Sequence, residues 1–87
     1  MGRKAQRRER DVHGLEGVVT FFGSYHALRA EKSLLAAGLR AVLIPGPREI
    51  SPNCGTALRF DYALEEEARR ILEESLVQYE EIHHYPA

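Results

Sequence analysis

The 87 residues contain one cysteine and no tryptophan. A lone cysteine cannot close a disulfide within the chain, which excludes the stapled secreted scaffolds and leaves only an interchain bridge. No run approaches the roughly 20 apolar residues that span a bilayer, and the stretch after Met1 is basic and polar where a secretory signal would be apolar. A cytoplasmic protein with no membrane partner is the expectation. Glycine-rich phosphate loops are missing as well, because Gly46-Pro47 matches neither the Walker nor the Rossmann pattern. No Cys-x-x-Cys occurs, so a self-contained dithiol cycle is excluded. His13 and His26 are scattered, and His83 and His84 are adjacent, which in a strand sends their side chains to opposite faces. No metal and no resident cofactor are expected.

What is present suits one small globular core: 44% of the residues are apolar and 29% charged, and a chain of this length has little surface to spare for a second core. The net charge of -1 conceals an asymmetry. Arg3, Lys4, Arg7, Arg8 and Arg10 face a single acid, Glu9, in the first ten residues, leaving seven basic and twelve acidic side chains in the other 77. Residues 1–16 therefore read as a basic, mobile arm and 17–85 as one acidic domain, for which nucleic acid is a poor partner.

Periodicity predicts the elements. Gly17–Phe22 is β-branched and aromatic, a buried strand. Ser24 is placed to cap a helix whose apolar face is Ala27, Ala30, Leu34 and Ala37, with Gly38 ending it. Arg40–Ile44 reads as a second strand halted by Pro45, and Thr56–Phe60 as a third with Leu58 and Phe60 on one face and Arg59 on the other. Asp61 is expected to cap a second helix with Glu65, Glu66 and Glu67 at its positive end and Leu64, Ala68, Ile71, Leu72 and Leu76 as its stripe. Val77–Ile82 makes a weak fourth strand. The order β-α-β-β-α-β predicts a ferredoxin-like α+β sandwich, an antiparallel sheet with two helices on one face. A sheet edge left by the weak fourth strand would allow a weak homodimer.

A hairpin needs two to five residues between strands 2 and 3, yet Pro45–Gly55 spends eleven. Three prolines stiffen this loop, and it holds Cys54. Free cysteines are often buried and inert. Here Asn53 and Gly55 flank the sulfur with a turn former and a residue without a side chain, and Arg48 and Arg59 are positioned to favour the thiolate. An ordinary thiol, with a pKa of about 8.5, is only a few per cent ionised at neutral pH. His26 at the first turn of the helix reads as a packing residue before it reads as a base toward Cys54.

The strand Val18–Phe22, the phrase Ser24–Lys32 and above all Ile44–Phe60, with its proline-arginine-glutamate stretch, cysteine-glycine pair and alanine-leucine-arginine strand, resemble the small selenium/sulfur carrier protein-like domains over about residues 17–82. The resemblance implies a carrier, not an enzyme, whose Cys54 holds a sulfur or selenium atom as a persulfide or perselenide. It implies a donor such as a cysteine desulfurase, or another sulfur- or selenium-transfer protein, as partner. Pro47, Arg48, Ser51, Gly55 and Arg59 match its motif positions, whereas Asn53 stands where a small serine-like residue is expected. The alternative from another class is a small-ligand or protein-interaction module in which Cys54 is incidental. A redox adaptor forming mixed disulfides through Cys54 is a third reading.

Overall fold

The computed structural model describes residues 12–50 and 55–85. Four strands and two helices follow one another: β1 (Gly17–Thr20), α1 (Ser24–Ala36), β2 (Ala41–Pro45), β3 (Thr56–Phe60), α2 (Glu65–Glu74) and β4 (Glu81–His84), with a 3-10 turn at Tyr62–Leu64. The strands form one antiparallel sheet in the order β2-β3-β1-β4.

Alternation sorts the strand side chains into two layers. Val19, Leu58, Phe60 and Ala41 face the helices and pack with Ala27, Ala30 and Leu34 of α1 and Ala68, Ile71 and Leu72 of α2. The register sets Gly17 opposite Phe60, and a Cβ at Gly17 would lie 2.6 Å from the Phe60 ring. This glycine is required because an aromatic ring occupies its side-chain space.

The other face of the sheet is also covered. Val18 and Ala57 are fully buried there, packed against Ile44 of β2, Tyr85 after β4, and Ile50 from the β2–β3 loop. The loop thus sends Ile50 onto the face that the helices leave open.

Several element ends differ from the sequence expectation for local reasons. β1 stops at Thr20 rather than Phe22, because pairing ends where Thr20 meets Ala57 and Glu81; Phe21 then turns into the core while Phe22 is exposed. The cap of α1 is Gly23, extended at φ -146°, and Ser24 is already helical, so no side chain caps it. Its other end is as expected: Gly38 has φ +89°, and Gly38 and Leu39 donate to Leu35 and Leu34 carbonyls at 3.0 and 2.9 Å. Ala37 of the expected stripe is exposed, being the C-cap itself.

β2 runs one residue later than expected and includes Pro45. It is an edge strand, and Gly46 donates to the Gly55 carbonyl at 3.3 Å. The alternation of an antiparallel ladder then leaves the Pro45 nitrogen pointing outward, where no N–H is needed.

Asp61 accepts from the Ala63 N–H at 3.1 Å and so caps the 3-10 turn, which in turn leads into α2. Glu65, Glu66 and Glu67 occupy the first turn of α2 as expected. Leu76 does not join the apolar stripe: it lies just past the helix end at φ +59° and points outward, 79% exposed. Val77 takes the core position, its N–H on the Leu72 carbonyl at 3.0 Å. That closure uses up Val77, so β4 begins only at Glu81, later than the expected Val77, with Ile82 facing Val19.

Candidate functional site

The loop between β2 and β3 is built from its two ends inward. The Gly46–Gly55 hydrogen bond extends the ladder by one pair and closes the base. Pro47 to Ile50 then form a turn in which the Ile50 N–H donates to the Pro47 carbonyl at 3.1 Å. This delivers Ile50 onto Val18 and Ala57 and leaves Arg48 and Glu49 exposed. Gly55 is exposed with open space where a side chain would stand, so the chain next to Cys54 is approachable. Cys54, Asn53 and Ser51 lie outside the described residues.

Tyr85 fixes the loop from the far end of the sheet. Its hydroxyl donates to Glu49 Oε2 at 2.5 Å and its backbone N–H to the Glu16 carbonyl at 2.7 Å. The Glu49 carboxyl is held below the usual carboxylate range, first by that hydroxyl and then by its own backbone N–H, while the Tyr85 phenol is pushed up by Glu49.

Arg59 stands, as its position in β3 predicts, on the face away from the helices. Its Nε donates to the Leu15 carbonyl at 2.8 Å and its Nη2 donates to the same oxygen. The guanidinium also lies 5.7 Å from the centre of the Tyr85 ring. Arg59 therefore ties together the segment before β1, the strand β3 and the residue after β4. Leu15, which the sequence reading assigns to the basic arm, is buried. Arg48 is exposed and makes no ion pair with another described residue.

The histidines divide as the strand geometry requires. His83 approaches the Thr20 hydroxyl at 3.5 Å, whereas His84 stacks on Tyr62, ring centres 4.5 Å apart, and meets Glu16 at 3.1 Å. His26 accepts the Gln78 N–H on Nδ1 at 3.1 Å and sits edge-on to Tyr25, which is a packing role. Among the described residues no group of three or more His, Cys, Asp or Glu side chains is arranged to hold a metal ion.

The family model described as "Putative Se/S carrier protein-like" matches residues 16–84. The chain belongs to this family. No curated protein and no solved structure matches it. The Se/S carrier-like match takes in all four strands, both helices and the loop with the cysteine, and Tyr85 lies one residue beyond it.

Sequence reasoning on this Se/S carrier-like chain missed Tyr85, Glu49, Ile50 and Leu15. Ile50 carried the one usable signal, a bulky apolar residue inside an otherwise polar loop. The partnership of Glu49 with Tyr85 joins positions 36 apart and has no local signature.

Proposed function

We propose that the protein is a sulfur or selenium carrier, not itself an enzyme, that holds the chalcogen on Cys54. The observation that carries this reading is the family match over residues 16–84 of a chain whose single cysteine lies in the longest loop. The step is a transfer of sulfane sulfur. The Cys54 thiolate attacks the outer sulfur of a donor persulfide, the donor's S–S bond breaks, its inner sulfur leaves as a thiolate, and Cys54 becomes the persulfide; no net oxidant is needed. With selenium the product is a perselenide. A cysteine desulfurase is the proposed donor, and a second transfer protein the acceptor.

The surroundings support such a relay. Arg48 is exposed and unpaired among the described residues, and Arg59 adds a fixed positive charge on the loop-covered face, both of which favour a thiolate. Pro47 supplies the carbonyl of the loop turn, Gly55 leaves the approach open, and Ser51 and Asn53 complete the proposed surroundings of the sulfur. No resident cofactor or metal takes part. The proposed scaffold is ferredoxin-like: read from the other edge the strand order is β4-β1-β3-β2, and this supports the assignment. The proposed compartment is the cytoplasm, where thiols are kept reduced; among the described residues no helix is long and apolar enough to cross a membrane.

Intact mass without reductant, after incubation with a cysteine desulfurase and cysteine, tests the reading. The wild type should gain one reductant-labile sulfur atom and Cys54→Ser should gain none while melting within about 0.5 kcal/mol of the wild type. A wild-type chain that gains nothing and whose thiol is inert toward alkylation refutes it and makes Cys54 incidental to a binding module.

A further inference from the structure

The ten-residue connection from Gly46 to Gly55 is long for a hairpin, and the structure shows that it does more than join two strands. One arm of it is fastened at three levels. Backbone hydrogen bonds close its base at Gly46 and Gly55 and form its turn at Pro47 and Ile50. The Ile50 side chain is packed on Val18 and Ala57. Glu49 is held by a phenol that comes from the other end of the chain.

We infer that Tyr85 is a positioning residue for the β2–β3 loop: its hydroxyl, donated to Glu49, and its ring, packed with Ile50 over Val18 and Ala57, fix the arm that leads to Cys54. Tyr85 is suited to this because its backbone and its ring are both held. Its N–H is bonded to the Glu16 carbonyl, its ring lies beneath the Arg59 guanidinium, and that guanidinium is anchored on Leu15. The segment 51–54 thus begins beside an anchored Ile50 and ends at an anchored Gly55. Holding Gly46 to Ile50 and Gly55 in one arrangement means that those residues lose less entropy when a protein partner docks beside them.

This rests on the carrier reading for its purpose but not for its test. The hydrogen bond and the packing predict loop behaviour whether or not sulfur is ever carried. Tyr85→Phe keeps the ring and removes the donor, and Glu49→Ala removes the acceptor from an exposed site.

In the full chain, the Ile50 amide should exchange about fivefold faster in either variant, with the Val19 amide unchanged, and the double variant should add nothing to the singles. The Glu49 carboxyl, followed by NMR, should titrate closer to the ordinary carboxylate range in Tyr85→Phe. Arg59, over the Tyr85 ring, is the charged group that faces this pair, Arg48 adjoins Glu49 in the chain, and neither is altered.

Loading of Cys54 from a desulfurase should fall about threefold, because a looser loop loses more entropy on docking. Ile50 exchange within twofold of wild type in both variants overturns the inference. A wild type that never loads, with exchange behaving as stated, refutes the carrier reading alone and leaves Tyr85 as the loop anchor.

Discussion

Replacing Gly17 with alanine puts a methyl group into space that the Phe60 ring already fills. The nearest ring atoms, Cε1 and Cζ, would lie 2.6 Å away and Cδ1 2.9 Å. Unstrained carbon atoms sit at about 3.5–4.0 Å, so the overlap approaches 1 Å. Phe60 cannot swing aside, since it is fully buried between sheet and helices with Tyr62 tilted against it at 6.5 Å. Overpacking of this kind costs about 1–3 kcal/mol. Alanine also restricts the unfolded chain relative to glycine, which offsets about 0.5–1 kcal/mol. A net loss of about 1–2 kcal/mol remains, and in a domain of this size that lowers Tm by roughly 5–15 °C. Thermal melting followed by circular dichroism reads it directly. Gly55→Ala is the matched control, because open space surrounds that position and its φ is not in the left-handed region; its melting should move by no more than about 0.5 kcal/mol. A Gly17→Ala variant that melts within about 2 °C of wild type would refute the claim that Phe60 dictates this glycine.

Leu76→Gly should stabilise the protein. The leucine is held at φ +59°, where a non-glycine residue costs about 1–2 kcal/mol, and at 79% exposure it returns little burial. After the entropy cost of a new glycine, a gain of about 0.5–1 kcal/mol is expected in chemical denaturation, and a loss would show that Leu76 has packing of its own. The Glu49–Tyr85 pair sets a pH window. A lowered carboxyl contributes stability that is present above its unfolded pKa, about 4.3, and lost as the pH falls through its folded value. A raised phenol contributes stability that is present below its unfolded pKa, about 10, and lost as the pH rises through its folded value. The difference in ultraviolet titration between wild type and Tyr85→Phe should therefore show one phenol ionising above about pH 10, and ionisation below that would contradict the hydrogen bond.

The parts legible in the sequence are those governed by local physics. β3 has the predicted bounds Thr56–Phe60 because its alternation and flanking turn residues agree, and Gly38 marks the end of α1 because only the left-handed region permits that closure. Val77 misled because a valine suits a strand as well as it suits the core side of a helix end, and what decides between them is the closure of α2 on the Leu72 carbonyl with the Val77 side chain in the core. Pro45 misled because its meaning depends on whether the strand is an edge. In the candidate site, the residue types of the loop carried the chemistry, while the partners of Arg59 could not be read locally: Leu15 lies 44 positions away from it. Cys54, Ser51 and Asn53 remain predictions from sequence alone.

Hairpin loops usually vary freely in length among relatives, since nothing depends on their interior. A loop that sends a side chain onto the sheet loses that freedom. Removing Ile50 would open part of the cover of Val18 and Ala57 to water, so deletions that take it out should be accompanied by polar replacements at both positions, and loss of the carboxylate at 49 should relax the requirement for a phenol at 85. Substitution patterns along this lineage should therefore link the loop to β1, to β3 and to the residue after β4 together.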